Sequence, residues 1–330
     1  MGETKIEWVA TRNADGTVTP GYSWNPWIGC TRVSPGCVHC YAESFARRFG
    51  KAEWGPTAKR VRTSAANWKK PLLWNRQAEK KGVRLKVFCA SLADVFEDNP
   101  QVKQWRYDLF DLILDTPHLD WLVLTKRPEN IRPALQAMQV LKRDNVWDHL
   151  WLNGYFPNVW VGTSVENQEM ADKRIPALLE IPATVRFLSC EPLLGLLDLS
   201  KWLYSCPACG LPQRDIPYAP CDYCRTRPTV RGVDWVIVGG ESGQEARPLH
   251  EDWARRLRAQ CRIVGVPFFF KQWGQFIPVG QTDTDRHNSG ELMFAADKQT
   301  SGRFIRLRSK HDAGRKLDGY EWNEMPEARE

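Results

Sequence analysis

Apolar residues in this chain recur as short continuous runs, separated by longer stretches of helical period. Runs at 20–25, 84–91, 119–125, 158–163, 184–190, 233–239 and 267–271 are too short for helices and are rich in Val, Ile, Phe and Trp, which predicts strands. Between them, 41–49, 101–114, 167–179 and 251–264 carry one apolar face each and predict helices, and Arg127-Pro128 opens another. In the last of the four, Arg255, Arg256, Arg258 and Arg262 point outward. Strands that are apolar throughout and alternate with helices imply a parallel sheet covered on both faces. Six or seven such βα units suit a partial or complete parallel (β/α) barrel over residues 1–278, with an open doubly wound sheet as the rival. Polar residues at many strand ends favour the barrel, because an open sheet gathers them at one switch point.

Two stretches break this alternation. Residues 200–232, between the fifth and sixth strands, hold Cys206-Pro-Ala-Cys209 and Cys221-Asp-Tyr-Cys224. Two C-x2-C knuckles form a four-thiolate tetrahedral set, which predicts a small zinc-ribbon-like insertion binding Zn2+; an auxiliary Fe–S cluster is the alternative. Residues 279–330 are polar with weak periodicity and predict a peripheral appendage without chemistry, anchored by Tyr320, Trp322 and Met325.

The chain has 330 residues and a formal charge of +7. No run of eighteen apolar residues is present and the N-terminal residues lack an apolar signal region, so a cytoplasmic protein without a membrane span is expected. Seven of the ten cysteines fall in two tight groups, which points to metal rather than disulfides. Cys89 and Cys261 read as core. The positive charge is concentrated at 51–86, where eleven Lys or Arg stand against Glu53 and Glu79, with Trp54, Trp68 and Trp74 interleaved. Basic groups that track phosphates beside indoles that stack on bases make Lys59, Arg60, Arg62, Trp68, Lys69 and Lys70 candidate nucleic-acid contacts. A solvated surface segment with packed tryptophans is the competing reading.

The chemistry concentrates at Cys30, Cys37 and Cys40, spaced C-x6-C-x2-C around Pro35-Gly36 on a loop that leads into a helix. Three thiolates suit a 4Fe–4S cluster with one open iron, or zinc with His39 as fourth ligand, and spacing alone leaves both open.

A three-cysteine loop of this kind resembles the radical S-adenosylmethionine (SAM) enzymes. The commonest spacing there is C-x3-C-x2-C with an aromatic before the last Cys; here the first gap is six and the residue is His39. The chain is more similar to one subfamily, the phage-associated three-Cys-motif proteins. The shared segments are Trp24-Asn25-Pro26, Gly29-Cys30, Gly36-Cys37 with Cys40-Tyr41-Ala42, Ala90 to Phe96, Leu124 to Pro128, Val161 to Asn167, Ser189 to Pro192, Gly239 to Gly243 and Phe270 to Gly274. The resemblance implies a barrel of radical SAM type, a 4Fe–4S cluster on Cys30, Cys37 and Cys40, and S-adenosylmethionine chelated at the open iron. By position it implies SAM contacts at Tyr41, Ser91, Asp94, Lys126, Ser164, Glu166, Asn167 and Glu241, although the Gly-Gly-Glu motif stands on the sixth strand and not the second. Cys190, Glu191 and Lys271, at strand ends, are the candidate catalytic residues. A nucleic acid or nucleotide substrate for repair or modification, a reductant such as flavodoxin or ferredoxin, and a genome-neighbour partner protein complete the reading. The alternative is a non-enzymatic, metal-stapled nucleic-acid-binding protein.

Overall fold

A computed structural model of the protein describes residues 2–12, 16–142, 156–203, 232–282, 291–297 and 300–326. The four cysteines of the 200–232 insertion lie outside the described residues. The fold is mixed α/β with mostly parallel strands. It divides into two compact units, one chiefly Met1–Thr163 with Glu180–Val185, the other chiefly Ser164–Leu179 with Arg186–Ala328.

In the first unit the strands are β1 (Gly2–Glu3), β2 (Tyr22–Trp24), β3 (Leu85–Cys89), β4 (Leu119–Thr125) and β5 (Val159–Ser164), hydrogen-bonded in that order. β1 is an antiparallel edge strand, and β2 to β5 are parallel. β3 and β5 are buried at every position, as expected of strands covered on both faces. The helices are α1 (Tyr41–Arg48), α2 (Lys70–Lys81), α3 (Pro100–Leu114) and α4 (Ile131–Lys142). Pro starts α3 at its first turn behind the Asn99 cap, whose side chain accepts from Gln101 N–H at 2.9 Å. The core is rich in tryptophan: Trp24 meets Trp68 and Trp121 edge-on, at 5.2 and 5.6 Å between ring centres.

The basic stretch 51–86 is not the continuous charged strip that its composition suggests. Its middle is helix α2, with Trp74 buried and stacked on Tyr22 at 4.1 Å. Lys86 is buried within β3, where desolvation lowers its pKa, and Arg84 pairs with Asp120 at 2.7 Å. Arg60 is 1% exposed, so it cannot meet a phosphate.

The second unit contains α5 (Gln168–Leu179), parallel β6 (Val185–Cys190), β7 (Trp235–Gly239) and β8 (Phe268–Gln272), and α6 (Glu251–Val264). Gly240 and Gly274 allow backbones to touch beyond β7 and β8: a Cβ on Gly240 would stand 1.9 Å from the Trp273 carbonyl oxygen. The residues after β8 form a second, smaller sheet. β9 (Phe276–Pro278), β10 (Glu291–Asp297) and β11 (Thr300–Arg306) form an antiparallel sheet in the order β9-β11-β10. The following segment packs back on the parallel strands. Trp322 lies edge-on to Phe268 and accepts from Phe270 N–H at 3.0 Å, while Arg258 covers its ring at 4.8 Å. Asp318 accepts from Arg255 at 2.9 Å, Arg258 at 2.8 Å and Gln281 at 3.0 Å. Aromatic anchors and one shared carboxylate give this polar segment a fixed place that hydropathy alone does not reveal.

Burial opposes the charge on Asp318, but the bonds from Arg255, Gln281 and Arg258 outweigh it and hold its carboxyl at about 2. A carboxylate whose pKa falls on folding stabilises the folded state above its unfolded value, near 4, and loses that contribution as pH falls toward 2. Asp318→Asn is therefore expected to lower the melting temperature at neutral pH and to converge with the wild type near pH 2, as followed by circular dichroism.

Candidate metal and cofactor site

The end of β3 shapes the first unit's site. Ala90 takes φ 64°, a conformation that costs a non-glycine residue energy, and turns the chain so that Ala93 N–H donates to its carbonyl at 3.2 Å. Asn25, just past β2 and 2% exposed, ties this turn to the cysteine loop. Its side chain accepts from Leu92 N–H at 2.7 Å and donates to Ser91 Oγ at 3.0 Å. Gly29, at φ 115°, donates to the Leu92 carbonyl at 3.1 Å; a Cβ there would meet Arg60 Cδ at 2.9 Å. The loop therefore starts as a backbone-paired neighbour of the β3 end.

Two buried arginines hold Cys30-Thr31. Arg60 donates to both oxygens of Glu97, at 2.8 and 2.7 Å, and to Thr31 Oγ1 at 2.8 Å. Arg127 donates to Asp94 at 2.7 Å, to the Thr31 carbonyl at 2.7 Å and to Cys30 Sγ at 3.7 Å. Asp94 is 4% exposed and also accepts from Thr125 Oγ1 at 2.7 Å, Lys126 N–H at 3.1 Å and Phe96 N–H at 3.0 Å. Burial works against its charge, yet Arg127 and these bonds keep its carboxyl below the usual range. Asp94, expected to touch SAM, thus serves to orient Arg127. Burial and the nearby Asp94 carboxylate push the Cys30 thiol up to about 12, with Arg127 opposing them.

Cys37 is buried, closing the turn at Pro35-Gly36, and Cys40 is the N-cap of α1. Among the described residues, no three Cys, His, Asp or Glu side chains close around a point that would suit one metal ion. Three thiols are a soft donor set, and the Arg127 N–H aimed at the Cys30 sulfur is of the kind that surrounds bound thiolates. Tyr41 Oη donates to the Ser91 carbonyl at 2.8 Å, so Tyr41 and Ser91 meet beside the loop. Lys126 is half-buried, and its backbone N–H is the one bound by Asp94.

In the second unit, Ser164 and Glu166 are buried. Arg174 donates to the Ser164 carbonyl at 2.9 Å and to Glu166 at 2.8 Å, and the Glu166 side chain has no exposure. Asn167 accepts from Met170 N–H at 3.0 Å, a helix-capping bond at the start of α5. Glu241 is buried and takes Arg247 at 2.7 and 2.8 Å. These four expected SAM contacts are committed to local partners. Cys190 is fully buried, and desolvation followed by the proximity of Cys261 raises its thiol far above the ordinary range. It is a core thiol, corrected from the expected catalytic contact.

Glu191 and Lys271 do come together. Lys271 Nζ lies 2.8 and 2.7 Å from the Glu191 oxygens, and Gln272 donates to Glu191 and to Ser242 Oγ, each at 3.2 Å. Both charged side chains are about one-fifth exposed (21% and 20%), so the pair is open to a ligand at the carboxyl ends of β6 and β8.

Of the expected nucleic-acid contacts, Lys59, Arg62 and Lys69 are exposed, and Trp68 and Lys70 half-buried. Arg62 covers the Trp68 ring at 4.3 Å and pairs with Asp108 at 2.6 Å. Arg60 is corrected to a loop anchor. The sequence pattern gives Arg60 the same role as Lys59 and Arg62, because nothing local separates them, and leaves Glu97 unmarked; Asn25 is signalled only by its place between Trp24 and Pro26.

A family model described as "Protein of unknown function (DUF5131)" matches residues 3–326. No curated protein matches. Two solved structures, both single-residue mutants of spore photoproduct lyase, match at TM-scores of 0.36 and 0.38 and 9% identity, over 86% and 87% of this chain and 67% and 68% of theirs.

Removing Arg60 leaves Glu97 buried without its bidentate partner. Arg60→Ala is expected to cost about 3–5 kcal/mol, as breaking a buried pair does, measured as a lower urea midpoint. Lys59→Ala, on the exposed neighbour, should stay within about 0.5 kcal/mol.

Proposed function

This chain belongs to the DUF5131 family, and we propose that it is a radical SAM enzyme, its cluster held by Cys30, Cys37 and Cys40. One observation carries the reading: three thiols on a single loop, with the Arg127 guanidinium, itself fixed by Asp94, aimed at the sulfur of the first. A 4Fe–4S cluster held there would supply the one electron that reductive cleavage of S-adenosylmethionine requires. The chain's own residues do the rest. Asn25 and Ala90 fix the loop's approach, Arg127 and Arg60 hold Cys30-Thr31, and Ser91, whose carbonyl takes the Tyr41 hydroxyl, stands beside the cluster loop to orient the cofactor. A partial or complete parallel (β/α) barrel belongs to the same reading, supported by parallel strands whose carboxyl ends carry these groups. Glu191 and Lys271 are the proposed acid–base pair for the substrate, and Zn2+ on Cys206, Cys209, Cys221 and Cys224 the proposed staple of the insertion, supported by spacing alone.

The test is anaerobic reconstitution with iron and sulfide, then SAM and dithionite. The expected wild-type result is a brown protein with about four irons at this site that forms 5′-deoxyadenosine. Cys37→Ala should lose these irons and the product together, and zinc should persist in that variant. Colourless protein carrying zinc at the three thiols would refute the reading.

A nucleic-acid or nucleotide substrate is the proposed class, supported by the exposed Lys59, Arg62 and Lys69 beside Trp68. Neutralising the three should reduce the dependence of log affinity on log salt for duplex DNA by about 0.9 per lost phosphate contact. An unchanged slope would assign these residues to a solvated face.

A further inference from the structure

Thirteen large apolar side chains are exposed among the described residues, and five of them fall within residues 33–49: Val33, Val38, Tyr41, Phe45 and Phe49, each 43–58% exposed. Tyr41, Phe45 and Phe49 are spaced by four, which places them on one face of α1 and its C-cap. The adjoining face buries Ala42 and Ala46. The Phe45 and Phe49 rings touch, with centres 4.7 Å apart. Val38 sits between Cys37 and Cys40, so the apolar surface is continuous in sequence with the metal loop. A grouping this dense is a mark of a docking surface rather than of scattered surface apolarity.

Its charge selects the partner. Residues 32–51 contain Arg32, Arg47, Arg48 and Lys51 against the single acid Glu43. Glu43 is buried, and Arg32 and Arg47 reach it at 2.7 and 2.9 Å from its edges. The rim is therefore cationic. A second copy of this chain would bring like charges together across the stripe. A nucleic acid would meet the arginines but leave the two valines without a stacking partner, and Arg48 already covers the Phe49 ring at 5.6 Å. Aromatic and aliphatic side chains ringed by arginine suit the core and rim of a protein interface.

We propose that the Tyr41–Phe45–Phe49 stripe, with its rim of Arg47, Arg48 and Lys51, docks an acidic electron-donor protein. The role rests on the cluster reading: the donor gives up one electron and is oxidised, the cluster gains it, and no proton or group moves. Seating the donor on the segment that carries Cys37 and Cys40 shortens the electron's path.

The test uses the full chain with its cluster and, as probe, a reduced, strongly acidic [2Fe–2S] ferredoxin. Binding is titrated at low and high salt, and cluster reduction is followed by bleaching of its visible absorbance. Wild-type binding should weaken as salt rises. Phe45→Ser/Phe49→Ser and Arg47→Glu/Arg48→Glu should each weaken it tenfold or more and slow reduction by ferredoxin, while dithionite reduces all three proteins alike. Equal ferredoxin affinity in the variants, or none in the wild type, overturns the proposal. So does a finding that the variants lose a dimer or oligonucleotide binding instead. A wild type that dithionite does not bleach defeats the cluster reading, and the donor role with it, whatever ferredoxin does.

Discussion

Glu97 and Asp94 are both buried, in the segment between the turn that ends β3 and the Pro100 start of α3, and each takes an arginine. Those arginines, Arg60 and Arg127, reach past their carboxylates to the backbone carbonyl and hydroxyl of Thr31 and to the sulfur of Cys30. Buried ion pairs are costly to desolvate and are weak devices for stability. They are good devices for position, because an arginine fork fixed by a carboxylate has little freedom left in its remaining donors. The placement of the first cysteine depends on this arrangement, and so does the direction in which the loop leaves toward Cys37 and α1.

The second unit uses the same chemistry for different ends. Arg174 on Glu166 is a closed pair at a strand end, and Arg247, a third exposed, caps a Glu241 carboxylate that is itself buried at a turn. Lys271 on Glu191 is open to solvent by about a fifth of each side chain, and Gln272 keeps the carboxylate oriented. An exposed pair at strand ends can exchange its partner for a ligand; a fully buried one cannot do so without a large penalty. Exposure of the carboxylate itself is thus what separates Glu191 from Glu166 and Glu241.

The cationic apolar face of α1 fits the same scheme. Its buried side fixes the helix that Cys40 caps, and its outer side remains available. One eight-residue helix therefore links the cysteine loop to an exposed apolar surface.

Much of this was determined by sequence alone. The strands and helices followed from periodicity: β4 and α6 have the bounds that their patterns imply, since a run of apolar residues or an apolar stripe is a local property of the chain. The three-thiol loop and its turn were equally local, as spacing and Pro35-Gly36 suffice. Tertiary structure decided which charges face water. Arg60 stands between Lys59 and Arg62 in sequence, yet it alone meets Glu97, thirty-seven residues on. Cys190 and Glu191 are adjacent, yet one lies in the core and the other on Lys271, eighty residues away. Trp322 and Asp318 make an ordered part of the second unit from a segment without periodicity, through contacts with Phe268, Arg255 and Arg258. Pairing of distant charges and rings depends on where the backbone brings them, and no local pattern encodes that distance.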